Sequence, residues 1–253
     1  LCHGDSTGTI NLAVSGGNSP YTYSWNTSPI QQTQNATNLS FGTYIVTILD
    51  STQCPEEFSY FVSEPAIELS ATISPSSVLC FGDSDGSLTV SALGGTPFSG
   101  GIYSYLWLAS GQTSITLPNL SAGNYTCQIN DDNGCLAFAT GFINEPNSIT
   151  LSSSTSAATC YNEPDGSAIV TPQGGIPPYT YNWSNGQTTQ QAINLLAGFY
   201  DVIVFDANSC SDTINIEIQQ PDEIQAVLTT TNILCNGDSS GQITINVTVG
   251  AGP

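Results

Sequence analysis

The chain contains no lysine and no arginine, one histidine and no methionine among its 253 residues. An average soluble chain is about one quarter charged, so roughly 30 basic residues would be ordinary at this length. Against that absence stand 20 carboxylates and a net charge of −20. Without cations nothing neutralises phosphate, which excludes nucleic-acid binding and attraction to anionic membranes. Schiff-base lysines, phosphate-loop lysines, arginine clamps and lysine–asparagine isopeptide bonds are excluded with them. Trypsin has no cleavage site. No apolar run approaches the ~18–20 residues of a membrane-spanning helix, so no membrane insertion is expected in this segment. The opening Leu1-Cys2-His3 is no signal peptide, and the segment reads as cut from something longer.

What is present suffices to fold. Apolar residues make up 39% and aromatics 9%, above the range of disordered chains. With ordinary ion pairs excluded, stability must come from apolar burial, backbone hydrogen bonds and disulfides.

The dominant signal is an internal repeat. Four blocks open with cysteine: Cys2-His-Gly-Asp-Ser-Thr-Gly8, Cys80-Phe-Gly-Asp-Ser-Asp-Gly86, Cys160-Tyr-Asn-Glu-Pro-Asp-Gly166 and Cys235-Asn-Gly-Asp-Ser-Ser-Gly241. A Gly-Gly pair stands 14 residues after the first three (Gly16-Gly17, Gly94-Gly95, Gly174-Gly175), and Gly250 is its remnant in the fourth. Aromatic stretches ending in Trp25, Trp107 and Trp183 follow, the second after four extra residues at 98–101. Each unit closes with Asn-Leu (Asn38-Leu39, Asn119-Leu120, Asn194-Leu195) and then a tyrosine (Tyr44, Tyr125, Tyr200). An aspartate comes six residues after that tyrosine (Asp50, Asp131, Asp206) and a cysteine four later (Cys54, Cys135, Cys210), before Glu64-Pro65, Glu145-Pro146 or Gln220-Pro221.

Apolar residues alternate with a period of two in Ile10/Leu12/Val14, Leu88/Val90/Ala92, Tyr44/Val46/Ile48 and Tyr200/Val202/Val204, the pattern of half-buried strands. Asn185-Gly186 reads as a type I′ hairpin turn, and Asp131-Asp-Asn-Gly134 as another tight turn. Nothing recurs at helical spacing. The reading is all-β: a rod-like tandem array of small immunoglobulin-like or PKD-like sandwiches. Prolines at the joints divide it into 1–64 (lacking its first strand), 65–145 and 146–220 (complete), and 221–253 (two strands only). Tryptophans and tyrosines at these positions form either a core or a sugar-stacking ladder. A tryptophan in the middle of a sandwich is normally core, so Trp25, Trp107, Trp183, Tyr44, Tyr125 and Tyr200 are assigned there.

Cys-x-Gly-Asp-x-x-Gly, Gly-Gly-x-Pro-Pro-Tyr-Thr-Tyr-x-Trp (complete only at 174–183), Asn-Leu-x-x-Gly-x-Tyr and Asp-x-x-x-Cys together resemble the SprB repeat of giant surface adhesins in gliding and related Bacteroidota. The resemblance covers essentially the whole chain and departs from the pattern at the Ser-Gly-Gly insertion and at Cys127. It implies a β-sandwich in a very long protein exported by type IX secretion, extracellular and attached to the cell surface. It carries over no catalytic residue and no cofactor.

Seven of the eight cysteines occupy two repeat positions, and three pairings are open to them. Bonds within a unit would join Cys2 to Cys54 and Cys80 to Cys135, and a sequential pairing would join Cys54 to Cys80. In an immunoglobulin-like sandwich the block cysteine and the Asp-x-x-x-Cys cysteine lie at opposite ends, ~25–30 Å apart, whereas a cystine needs Cα atoms within about 7 Å. That geometry favours Cys2–Cys135 and Cys80–Cys210, between neighbouring units, over the intradomain bonds. Cys160 belongs to the same scheme, and Cys235 needs a partner beyond residue 253. Cys127 takes the place of Val46 and Val202 and reads as a buried free thiol.

Other sites are sparse. His3 is matched by Phe81, Tyr161 and Asn236 and reads as a variable surface residue. Serine nucleophiles lack a base, and the carboxylates recur as turn residues, so no enzyme is expected. Asp83 with Asp85 is the best calcium candidate, though two carboxylates fall short of the 6–8 oxygens calcium takes. Ser6, Ser51 and Thr213 each follow an aspartate in a context resembling Bacteroidota O-glycosylation motifs. The expected function is a non-catalytic stalk segment of a long surface adhesin, flanked by further repeats. The alternatives are direct binding of polysaccharide or another surface ligand, and lateral or end-to-end self-association into a fibre.

Overall fold

The computed structural model describes residues 1–237 and 239–249; Asp238 of the fourth block and Gly250, both used in reading the repeat, lie outside the described residues. Every regular element among the described residues is a strand. The first repeat contains β1 (Gly8–Ile10), β2 (Thr22–Trp25), β3 (Ala36–Leu39), β4 (Gly42–Leu49) and β5 (Pro55–Val62). The second contains β6 (Ser70–Ser76), β7 (Gly86–Leu93), β8 (Ser104–Trp107), β9 (Thr116–Leu120), β10 (Gly123–Asn130) and β11 (Leu136–Ile143). The third repeats that order as β12 (Thr150–Ser156), β13 (Gly166–Gln173), β14 (Thr180–Trp183), β15 (Gln191–Leu195), β16 (Gly198–Phe205) and β17 (Ser211–Ile218). Of the fourth, β18 (Gln225–Thr231) and β19 (Gln242–Val249) form an antiparallel pair.

A complete repeat is two antiparallel three-stranded sheets, β6-β7-β9 and β11-β10-β8 in the second and β12-β13-β15 and β14-β16-β17 in the third. These are the A-B-E and G-F-C sheets of an immunoglobulin-like sandwich without strand D. The Asn-Leu motif has a backbone reason. Asn38, Asn119 and Asn194 hold φ of 56°, 57° and 55°, a left-handed conformation that asparagine tolerates better than most residues. Each sits beside a register shift, between Gly8/Ile10, Gly86/Leu88 and Gly166/Ala168 on the partner strand, and turns the next leucine inward.

Each of the first three repeats has its own core, built on its tryptophan. Trp25, Trp107 and Trp183 are buried, and their indole N–H groups donate to the carbonyls of Thr33, Ser114 and Thr189 at 2.9, 3.0 and 2.9 Å. The rings have no face open to a sugar. Tyr44, Tyr125 and Tyr200 are only half-buried: each packs on its core and donates its hydroxyl to a carbonyl four residues upstream (Ser40, Ser121, Leu196) at 3.0–3.1 Å. They are tyrosine corners rather than interior core residues.

Two local readings need correction. In the Ile10/Leu12/Val14 stretch, β1 ends at Ile10, with its last pairing to Ala36 of β3. Asn185-Gly186 does form a tight turn, in which Gly186 N–H donates to Trp183 C=O, but Asn185 does not have the positive φ that type I′ requires. The turn sits where the chain leaves β14 for β15 in the opposite sheet, so it closes no hairpin. The four extra residues of the second repeat fold on themselves, with Phe98 N–H on Ile102 C=O and Gly101 N–H on Phe98 C=O, away from the core.

The described chain falls into two compact units, Leu1–Val78 with Ser84–Asn144, and Leu79–Asp83 with Glu145–Pro253. The five residues 79–83 are second-repeat by sequence yet belong to the second unit. A cystine through Cys80 holds them there.

Candidate functional site: the stapled joints

The Gly-Gly pair, the aspartate and the turn cysteine, distant in sequence, converge in each repeat. In the second, Asp131 Oδ1 accepts the Cys135 amide and Oδ2 the Thr96 amide, both at 2.8 Å, with the carboxylate 2% exposed. In the third, Asp206 accepts the amides of Cys210, Asn208 and Ile176 at 2.8–2.9 Å. In the first, Asp50 takes the amides of Cys54, Thr52 and Asn18 and the Thr52 hydroxyl. Those donors, the Thr52 hydroxyl foremost, hold the Asp50 carboxyl down at about 2. One aspartate thus ties the turn bearing the cysteine to the loop bearing the glycines. The glycines make room for it: a Cβ on Gly95 or Gly175, both at φ +62°, would stand 2.5 or 2.8 Å from the Asp131 or Asp206 oxygen. Tyr21, Tyr103 and Tyr179 donate their hydroxyls to the carbonyls of Gly16, Gly94 and Gly174 and hold the same loop.

The cysteines so positioned are paired between neighbouring repeats. Cys2 joins Cys135 with Cα atoms 5.6 Å apart inside the first unit, and Cys80 joins Cys210 at the same separation inside the second. Both combine the block cysteine of one repeat with the turn cysteine of the next. Neither the intradomain nor the sequential bonds are present. Asn133 and Asn208, two residues before each turn cysteine, donate side-chain N–H to the carbonyl preceding the block cysteine (Leu1, Leu79) at 3.0 and 2.9 Å.

The Glu-Pro and Gln-Pro joints add a contact that was not read from the sequence. Glu64, Glu145 and Gln220 each accept, on a side-chain oxygen, the amide of the third block residue (Gly4, Gly82, Asn162) at 2.7–3.0 Å. The recurrence of an acceptor side chain before each joint proline was the available signal. His3 adds Nδ1 to Pro65 C=O at 2.9 Å, and the same nitrogen lies 3.5 Å from the Glu64 carboxylate.

The remaining candidates are dispersed. Cys127 is fully buried and free of any disulfide, opposite Trp107 as Val46 is opposite Trp25 and Val202 opposite Trp183, and burial pushes its thiol pKa up. Cys54, Cys160 and Cys235 are exposed free thiols. Asp83 and Asp85 are exposed, and no group of three or more His, Cys, Asp or Glu gathers as a metal site among the described residues. In the third block, Asp165, at the position of Asp85, accepts the Thr159 hydroxyl and amide, which lower its pKa: a local turn cap. Ser6, Ser51 and Thr213 are exposed. Among the described residues no helix is long and apolar enough to cross a membrane.

A family model described as SprB repeat matches residues 1–29, 72–112, 152–188 and 227–253, together more than half of the chain. The chain belongs to the SprB repeat family. It is accordingly an extracellular surface repeat protein, and its fold is a tandem of immunoglobulin-like sandwiches. In the two complete repeats the matches run from the first strand to just beyond Trp107 and Trp183. No curated protein matches the chain. It is similar, at 14% identity and a TM-score of 0.38, to three N-terminal domains of the highly immunogenic outer capsid protein Hoc of bacteriophage RB49, over 87% of this chain and 96% of that one. A structure of the eight N-terminal Ig domains of Down syndrome cell adhesion molecule matches at 14% identity and TM-score 0.34 over 90% of this chain, which spans 37% of its length. Domains 1–6 of the surface layer protein SbsC match at 12% identity and TM-score 0.31, over 98% of this chain and 48% of that one.

Proposed function

We propose that these repeats are a non-catalytic, covalently reinforced spacer in the stalk of a long, surface-attached adhesin or filament. The observation that carries this reading is the overlap of the two cystines. Cys2–Cys135 and Cys80–Cys210 close loops of 133 and 130 residues whose spans interlock, because Cys80 lies inside the first loop and Cys135 inside the second. Two covalent routes therefore connect residue 2 to residue 210: along the backbone to Cys80 and across, or across to Cys135 and along the backbone. A single backbone break anywhere between these positions leaves the two ends joined. That is a property useful to a strand under tension in a protease-rich exterior, and it requires no binding pocket.

The same register assigns roles to the exposed thiols. Cys160 and Cys235 are block cysteines and Cys54 is a turn cysteine, so each is half of a further staple to a neighbouring repeat. Single-molecule extension of the oxidised chain tests the reading. Reduction should release about 133 residues that the staples keep out of the stretched path, a gain of about 440–480 Å at ~3.3–3.6 Å per residue. No gain on reduction would overturn the spacer reading, and selective binding of a two-repeat fragment to one glycan class would favour the ligand-binding alternative instead.

A further inference from the structure

Three Asn-Gly pairs occur in the chain: Asn133-Gly134, Asn185-Gly186 and Asn236-Gly237. Asparagine is a chemically labile residue. It is most labile before glycine, where no Cβ keeps the following amide nitrogen from the side-chain carbonyl carbon. Asn133-Gly134 lies in the turn that carries Cys135, at the joint closed by Cys2–Cys135. Both residues are exposed, so water reaches them, and a Cβ on Gly134 would meet nothing within 4 Å.

The closed joint engages both reacting groups. The Asn133 carboxamide donates to Leu1 C=O and to Thr96 Oγ1, each at 3.0 Å, and the Gly134 N–H donates to Asp131 C=O at 3.2 Å. Bringing the Gly134 nitrogen onto Asn133 Cγ means swinging the carboxamide off both acceptors and breaking the bond that closes the turn. One of those acceptors belongs to the neighbouring repeat and adjoins Cys2, so the cystine keeps it in place. The second joint has the same contact without the reactive pair: Asn208 donates to Leu79 C=O at 2.9 Å, but Ser209 follows it. Gln53 and Ser209, at the Gly134 position of the first and third repeats, hold φ of 66° and 68° against 80° at Gly134, so the turn does not itself require glycine.

We infer that Asn133-Gly134 is a self-modification site that the closed Cys2–Cys135 joint holds in check and that reacts when the joint opens. On opening, the Gly134 nitrogen gives up its proton to solvent and attacks Asn133 Cγ. The new C–N bond closes a five-membered succinimide ring, and the side-chain nitrogen leaves as ammonia. Water then opens the ring at one of its two carbonyls and gives aspartate or isoaspartate, with no change of oxidation state. Either product carries a carboxylate, which accepts hydrogen bonds only and so cannot donate to the Leu1 carbonyl. The new charge also stands next in sequence to Asp131 and Asp132. Isoaspartate adds one backbone carbon between Asp131 and Cys135, whose bonds to each other at 3.2 and 2.8 Å hold the cysteine in position. An opening of the joint is thereby recorded as a joint that closes less well. This holds whether or not the repeats serve as a spacer.

The test incubates the oxidised chain and its Cys2→Ser variant in heavy-oxygen water and follows each Asn-Gly pair by peptide mass mapping. Asn133 should convert roughly 10-fold or more faster in the Cys2→Ser chain. Asn185, whose Oδ1 accepts the Gln187 N–H at 3.2 Å in a turn within one repeat, should convert equally in both. Gly134→Ser, which copies Ser209, should suppress conversion of Asn133 in either background. Thr96→Val leaves the staple in place, removes one acceptor and should accelerate Asn133 alone, which decides the matter where Cys2→Ser impairs folding. After reduction, ageing and reoxidation of the unsubstituted chain, the converted fraction should regain Cys2–Cys135 more slowly than the unconverted one. Equal rates at Asn133 with and without the staple, equal acceleration of Asn185, or equal recovery of the staple by converted chains would overturn the proposal.

Discussion

The first and second repeats share nearly every motif and differ by one strand. β7, flanked by β6, runs for eight residues, whereas its counterpart β1 stops after three. The core around Trp107 takes in Leu69 from the segment leading into β6 and excludes water along β11, whereas the core around Trp25 leaves Phe58 and Tyr60 half open. The difference teaches that the folding unit begins about ten residues before the block cysteine, so the sequence repeat that starts at cysteine is out of phase with the sandwich. The aspartate clamp, the tryptophan and the tyrosine corner form in both repeats without reference to the first strand.

The comparison is broken most severely by removing a core tryptophan. Trp107→Ala should cost about 3–5 kcal/mol in the second repeat, read by chemical denaturation. Trp25→Ala should cost less, since its core is partly open. Replacing Cys135 by Ser, which removes the staple, should cost about 2–4 kcal/mol, and non-reducing peptide mapping of the wild type should recover Cys2 joined to Cys135, with no Cys2–Cys54 fragment. Asp131→Asn keeps the shape but weakens a buried acceptor of two amides, an expected loss of about 1–3 kcal/mol in thermal or denaturant unfolding.

In the first repeat the acid response of the clamp can be followed directly. Asp50 is ionised in the fold down to about 2, below its ordinary 3.8, so its contribution is complete above about pH 4 and fades as pH falls toward 2. Amide signals of Thr52 and Cys54 followed by NMR should move over that window, and Asp50→Asn should remove the transition. The smallest effect belongs to Cys127→Val, which restores the residue of the sister repeats and should change stability by less than about 1 kcal/mol. In the folded 253-residue segment taken by itself, Cys54 and Cys160 should react with a thiol reagent in seconds to minutes, and Cys127 only on unfolding.

Much of this was legible because the repeat supplies its own internal comparison. Cys127 could be assigned to the interior from Val46 and Val202 alone, and the tryptophans to the core from their recurrence on a β pattern. The Asn-Leu motif was visible without its meaning, since a left-handed residue beside a bulge leaves no trace in apolar periodicity. The tyrosines were placed too deep because an aromatic ring at a strand start looks the same whether its hydroxyl ends in the core or on a carbonyl at the corner. The glutamate or glutamine before each joint proline was read as punctuation only, because its partner amide lies about 60 residues away.

Alternation of side chains and the register of the motifs are local properties, so the amino-acid order by itself determined the strands, the number of repeats and the residues that could carry a staple. The absence of any lysine or arginine likewise settled what holds the fold together. Sandwich topology favoured one cysteine pairing without fixing it; its realisation, the gathering of a carboxylate and two glycines into one clamp, and the bond from each joint side chain to a block amide depend on which turns meet in space. Those were decided only by the tertiary structure, because a contact across 60 or 130 residues is set by how sheets pack and turns close, not by neighbours along the chain.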